Sequence, residues 1–197
     1  LEPPDRNSEQ AALALQIAEG VRTRLDAAGR ARFEKRLAEV VVPLITIGTV
    51  RERMIYDRET IAVQAGRPVE FRLTNTDNMP HNLTVVQPGF MAEVGELAEA
   101  TGRDADAAAR NFIPKSDRIL VASRLVQPEQ TDTIFFEVPN EPGIYPYVCT
   151  YPGHWRRMYG ALYVVADLPA YDADPAAYVA AAKLEMKDSL LKYLGRN

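Results

Sequence analysis

The chain has 197 residues, 47% hydrophobic and 25% charged, with a formal net charge of −4. This composition can fill the core of one ordinary domain with a small appendage and argues against disorder, while the acidic balance lacks the basic face that a nucleic-acid partner requires. The longest apolar run, VVPLITIGTV (Val41–Val50), is interrupted by Pro43 and Gly48 and falls short of the roughly 18–20 residues of a membrane span, and a lone cysteine excludes an internal disulfide and leaves the redox compartment unspecified.

The sequence begins at Leu1 with no visible secretory leader, so a trimmed chain or a piece of a longer protein is expected. Residues 1–40 read as a helical extension. Asn7 or Ser8 can cap its start, with Gln10 completing a weak capping box. Leu13, Ile17, Val21 and Leu25 recur at helical spacing, and Phe33, Leu37 and Val40 resume the stripe after Gly29. Two short helices, or one broken at Gly29, both fit.

From residue 41 to 167 the texture is that of a β domain. PVEFRLTN (Pro68–Asn75) alternates Val69, Phe71 and Leu73 with polar residues, TDTIFFEVP (Thr131–Pro139) alternates Ile134, Phe136 and Val138, and ALYVV (Ala161–Val165) is a compact apolar strand. Several short strands separated by turn signals predict a mainly β sandwich or barrel. Residues 93–112, rich in Ala and Glu, read as a helical insertion between strands. Residues 168–197 form a second helical extension, with an Asp174-Pro175 start, a stripe of Val179, Ala182, Met186, Leu190 and Leu194, and Gly195 at its end. The stripes at both termini need a covering surface: each other, the β domain, a second copy in a homodimer, or a neighbouring domain.

One loop concentrates the chemistry. YVCTYPGHWRRMYG (Tyr147–Gly160) contains the only cysteine, Cys149, one of two histidines, His154, and Met158. The other histidine, His81, lies in NTDNMPHNLTVVQPG (Asn75–Gly89), between two strand-like runs. Two imidazoles, a thiolate and a weak thioether make up the donor set of a blue-copper electron-transfer centre. Thiolate and thioether hold Cu(I), imidazole serves both oxidation states, and a tight set changes little as an electron moves. Pro152-Gly153 can fold the loop back so that its donors converge at the end of a sandwich, where loops cluster.

CTYPGHWRRM and DNMPHN resemble the two copper-binding motifs of the cupredoxins, with the C-x4-H-x3-M spacing of azurins and auracyanins. The resemblance spans roughly residues 43–166 and includes the position of the helical insertion. It implies a Greek-key sandwich holding one copper ion through His81, Cys149 and His154, with Met158 axial and the Pro80 carbonyl opposite; azurin has Gly at that place, whereas Pro is plastocyanin-like. It further implies that Asn82 and Thr150 pin the two loops together, that the Asn82 N–H approaches the sulfur, and that the His154 ring edge forms the electron port. Met79, Pro80, Tyr151, Pro152 and Tyr159 would give the port an apolar rim. Trp155 either widens that rim or packs over the loop, and Arg156 and Arg157 either steer an acidic partner or are ordinary solvated side chains.

Counting excludes larger chemistry. Multicopper oxidases and copper nitrite reductases need more histidines than the two present, a dinuclear copper centre needs a second cysteine, and a Ser-His-Asp site would have to borrow a copper histidine. The expected function is electron carriage between a donor and an acceptor redox protein, such as a haem c or dehydrogenase domain, and not enzymatic turnover, although the chain could be part of a larger redox enzyme. A periplasmic or other extracytoplasmic location follows from the resemblance. The alternatives are a copper storage or delivery protein and an interaction module with a structural metal site.

Overall fold

The computed structural model describes residues 9–195. The expected caps Asn7 and Ser8 lie outside the described residues. The chain divides into two compact units between Pro43 and Leu44. The first contains helices α1 (Glu9–Arg22) and α2 (Ala27–Val40). The break between them falls before Gly29, not at it. Asp26 is the N-cap of α2, its carboxylate accepting the Gly29 N–H at 2.7 Å. A β-carbon at Gly29 would stand 2.9 Å from that carboxylate, so the glycine serves the cap and does not interrupt the helix.

The second unit is a sandwich of nine strands. One sheet has the order β2-β1-β4-β7 and the other β3-β9-β8-β5-β6. The strands are β1 (Leu44–Val50), β2 (Ile55–Tyr56), β3 (Thr60–Gln64), β4 (Pro68–Thr74), β5 (Thr84–Val86), β6 (Ile119–Ala122), β7 (Thr131–Glu137), β8 (Gly143–Val148) and β9 (Tyr159–Val165). β1 runs parallel to β4 and β3 parallel to β9; the other pairings are antiparallel. The alternation in β4 sends Val69, Phe71 and Leu73 inward, where they meet Ile47, Val85, Tyr147, Leu162 and Val164 between the sheets. Cys149 and Met158 belong to this same cluster.

A second apolar cluster covers the outer face of the five-stranded sheet. Val86, Ile144, Val148 and Ala161 of the sheet pack there with Met91, Val94, Trp155 and Leu191. β8 and β9 are thus buried on both faces, which is why their sequences are almost continuously apolar and not alternating. Helix α3 (Met91–Thr101) supplies much of this cover. It is shorter than the expected span of residues 93–112. At its end a β-carbon on Gly102 would lie 2.6 Å from Pro152 Cγ, and the chain then turns back through Asn111 and Phe112, both at positive φ (55° and 58°).

The C-terminal segment is also not one helix. Helix α4 (Leu168–Ala173) is followed by α5 (Pro175–Ala181), capped by Asp167 and Asp174 respectively. After α5, Lys183 takes the left-handed conformation (φ 51°), with the Lys183 N–H bonded to the Ala180 carbonyl and the Leu184 N–H to the Val179 carbonyl. This closure pattern ends a helix. Leu184, Met186, Leu190 and Leu194 then pack on the second cluster around buried Leu191. The end of the tail therefore covers part of the outer face of the sandwich.

Its Asp188 does more. The carboxylate accepts the Gly89 N–H at 2.7 Å and the Met91 N–H at 3.0 Å, so a residue nearly a hundred positions away caps the start of α3. Asp188→Ala is expected to lower the unfolding free energy by about 1–2 kcal/mol. It should also make the segment after Ala181 the first site of limited proteolysis, a change absent from the parent protein.

Candidate metal centre

The ends of four strands deliver the chemistry. His81 follows β4 and forms a two-way bridge with Val126, each N–H bonding the other's carbonyl at 3.1 and 2.7 Å. Cys149 follows β8, where its N–H bonds the Met158 carbonyl at 3.0 Å. Between them the loop closes on itself. The His154 N–H reaches the Tyr151 carbonyl and the Met158 N–H reaches the His154 carbonyl, with Gly153 at φ 85° making the turn.

The loops from the two motifs are cross-linked. Asn82 Oδ1 accepts the Thr150 N–H at 2.8 Å, and Asn82 Nδ2 donates to Thr150 Oγ1 and to the Asn111 carbonyl, both at 2.9 Å. The Asn82 carbonyl accepts from the buried Tyr56 hydroxyl at 2.6 Å. All groups are satisfied, so this polar knot fixes the spacing of the loops without an unpaired buried atom.

Three donor atoms meet inside. His81 Nδ1 and His154 Nδ1 are 3.2 Å apart, and Cys149 Sγ lies 3.8 Å from the first and 3.6 Å from the second. The three residues are 0–3% exposed. With metal–N distances of about 2.0–2.1 Å and metal–S of about 2.3 Å, donors 110–120° apart would be separated by about 3.3–3.6 Å (N to N) and 3.6–3.8 Å (N to S). The observed triangle fits a single ion at its centre, and two ring nitrogens with one sulfur select a soft or borderline metal. Met158 is fully buried, held to both ligand residues through the backbone bonds above. Pro80, half-buried, directly precedes His81.

Burial sets the protonation of the metal-free site. Desolvation pushes the Cys149 thiol up to about 12, against the opposing pull of the Asn82 and Tyr151 backbone N–H groups. Desolvation, reinforced by the neighbouring His81 ring, pulls His154 down to about 4. His81 is also lowered by burial, although Asp77 opposes this.

The residues expected around the port separate into two groups. Met79 remains exposed (36%), and Tyr151, Pro152, Arg156 and Arg157 are partly or fully accessible. Trp155 is not: it is 4% exposed, lies against Gly95 of α3 and donates its indole N–H to Glu99 at 2.8 Å. Of its two expected roles, the structure selects packing over the loop. His154 itself is only 3% exposed, in contrast to the surface ring edge implied by the resemblance. Tyr151 lies against it with ring centroids 4.9 Å apart, and Phe112 meets Tyr151 edge-on at 4.9 Å.

The sequence reading missed Asp77, Glu99 and Asn111. Asp77 Oδ2 accepts the His81 Nε2–H at 3.0 Å, and both side chains are buried. Glu99 holds Trp155 and pairs with Arg156. Asn111 ties the insertion to Asn82 through its carbonyl and to Leu125 through its side chain. Asp77 stands four residues before His81 in the quoted motif, but its spacing resembles that of any turn aspartate.

The profile described as "Copper binding proteins, plastocyanin/azurin family" matches residues 44–165. The chain is 33% identical over 121 residues to Auracyanin-A of Chloroflexus aurantiacus, spanning 61% of this chain and 73% of that one. The solved structure of auracyanin A, described as a "blue" copper protein from that bacterium, superposes with a TM-score of 0.57, covering 62% of this chain and 99% of that one at 33% identity. Dithionite-reduced auracyanin from Roseiflexus castenholzii gives a TM-score of 0.56 at 28% identity, covering 64% and 98% respectively.

At pH 7 the metal-free site carries a proton on sulfur, and the His154 ring is neutral. A divalent metal must displace that thiol proton, so loading should release about one proton per ion and the apparent affinity should rise about tenfold per pH unit between pH 6 and 9. Zinc titration in weakly buffered solution with a pH indicator measures this. A pH-independent affinity would contradict it.

Proposed function

Because this chain belongs to the plastocyanin/azurin family of copper-binding proteins, we propose that it carries single electrons between redox proteins through one type 1 copper ion that His81, Cys149, His154 and Met158 would hold. The observation that carries this reading is the buried triangle of two imidazole nitrogens and one sulfur, already spaced for a single ion. Bound copper supplies the one-electron couple. The protein's part is to keep the donors still: the Asn82–Thr150 cross-link, the His81–Val126 bridge and the folded 149–158 loop resist rearrangement between oxidation states. The Pro80 carbonyl, which directly precedes His81, would be a further candidate to hold the ion.

Electrons would cross at the His154 side of the sandwich. On this reading Met79, Pro80, Tyr151 and Pro152 form the apolar docking rim, and transfer passes over Tyr151 to the partner. A contact of this size suits brief encounters. Positive charge lies to one side, where Arg53, Ile55, Arg156, Arg157 and Tyr159 line a pocket of about 160 Å³. Arg156 is partly neutralised by Glu99, so Arg53 and Arg157 would carry most of the steering towards an acidic partner. A haem c or dehydrogenase domain as that partner, and a periplasmic or otherwise extracytoplasmic setting, extend the same reading. Storage or delivery of copper fits less well, because all three donors are buried and exchange calls for exposed ones.

Copper loading should give an intense visible thiolate-to-copper band and a narrow copper hyperfine splitting in EPR, and Cys149→Ser should abolish both while zinc still binds more weakly. A colourless, correctly folded, oxidised copper sample would remove the proposal. Replacing Arg53 and Arg157 together by Ala should slow oxidation by the anion ferricyanide several-fold at low salt and flatten its dependence on ionic strength; an unchanged salt dependence would rule out steering.

A further inference from the structure

The buried carboxylate of Asp77 has no part in holding a metal directly, yet the fold goes to some length to place it. Asp77 is 2% exposed. Its Oδ1 accepts two backbone N–H groups, from Glu52 at 2.8 Å and Asn78 at 2.7 Å. Its Oδ2 accepts the Nε2–H of His81 at 3.0 Å. Every neighbour within hydrogen-bond reach is thus a donor, and no acceptor faces the carboxyl group that would call for a proton on it.

The supports around it are unusual in two respects. Glu52 adopts φ 60°, a left-handed conformation that non-glycine residues seldom take, and in doing so it directs its N–H into the sandwich end. The backbone of Asp77 is clamped from the other side, its own N–H bonding Asn75 Oδ1 at 2.9 Å and Thr49 Oγ1 at 3.0 Å. Asn75 in turn holds the Met79 and Val126 carbonyls, and Val126 is the bridge partner of His81. The β1–β2 turn, the His81 loop and the segment at Val126 therefore converge on one negative charge behind one imidazole.

Resting on the copper reading of the same site, we infer that Asp77 is a positioning residue that fixes His81 in the tautomer with Nδ1 free for the metal and sets the reduction potential low. The first part follows from valence. With Nε2–H engaged by a carboxylate, the neutral ring has its lone pair on Nδ1, which is the atom facing His154 and Cys149. The second follows from charge. A carboxylate on the far side of the ring makes Nδ1 a stronger donor, and a stronger donor together with a nearby negative charge favours Cu(II), the more highly charged state, over Cu(I). His154 has no such partner among the described residues, so the two imidazoles are unequal: His81 is the anchored, electron-rich ligand.

The test is Asp77→Asn in the full chain, copper-loaded and studied by protein-film or solution voltammetry. The expected result is a retained blue spectrum, Cu(II) affinity reduced at least tenfold with Cu(I) affinity less affected, and a potential raised by about 59 mV for each tenfold change in their ratio. Full blue colour with an unchanged or lowered potential would overturn the inference while leaving the copper reading intact; absence of colour in the parent protein would overturn the copper reading itself. Because an amide facing Nε2–H could disturb folding, the parent protein supplies a second measurement. In its zinc-loaded or Cu(I) form, nitrogen-15 NMR should show His81 Nε2 protonated and its N–H slow to exchange with solvent. An unprotonated or rapidly exchanging Nε2 contradicts the proposal.

Discussion

Two imidazole nitrogens 3.2 Å apart, buried beside a thiol, are the arrangement on which the rest of the structure depends. Neither ring can take up a proton cheaply, because burial disfavours the charged forms and the His81 ring raises the cost further at His154. A neutral ring carries one N–H, so at this distance His154 Nδ1–H can donate to the His81 Nδ1 lone pair. A soft cation takes the place of that shared proton and gathers the two nitrogens and the sulfur into one coordination shell. The rest of the unit holds these three donors within reach of one another.

The means are layered. Nearest the donors, Asn82 and Thr150 lock two loops that are 68 residues apart in the chain. Behind them the sandwich core, from Phe71 to Leu162, anchors the strands from which the loops spring. Over the outer face, α3 presses Gly95 against Trp155, the residue directly after His154. The C-terminal tail then secures α3 through Asp188 and Leu191. A chain of contacts therefore runs from the tail to the copper loop, which gives the tail a physical role that its absence from the matched segment 44–165 would not have suggested.

Much of this is legible in the sequence because the informative residues are scarce. With two histidines and one cysteine, there is little choice of ligands, and the alternation of Val69, Phe71 and Leu73 leaves little choice about the strand. What stays hidden depends on partners distant in sequence. Asp188 and Asp77 look like ordinary turn residues until Gly89, Met91 and Glu52 are seen to donate to them. Trp155 reads either as part of a docking rim or as packing over the loop until the gap left by Gly95 receives it. Spacing leaves open two short helices or one broken at Gly29; the chain forms two, and Gly29 makes room for the Asp26 cap inside the second. The tail reads as one helix by its spacing, but Lys183 supplies a left-handed stop where the pattern predicts continuation.

On this account the Asn82–Thr150 cross-link and the folded 149–158 loop hold the donor triangle rigidly. Crystal structures of the metal-free and the copper-loaded protein test it most directly. His81 Nδ1, His154 Nδ1 and Cys149 Sγ are expected to keep their mutual separations to within about 0.5 Å on loading, with the Asn82–Thr150 bonds intact in both. A metal-free structure with His154 swung out to solvent, or with the two imidazoles moved apart by several ångströms, would contradict it.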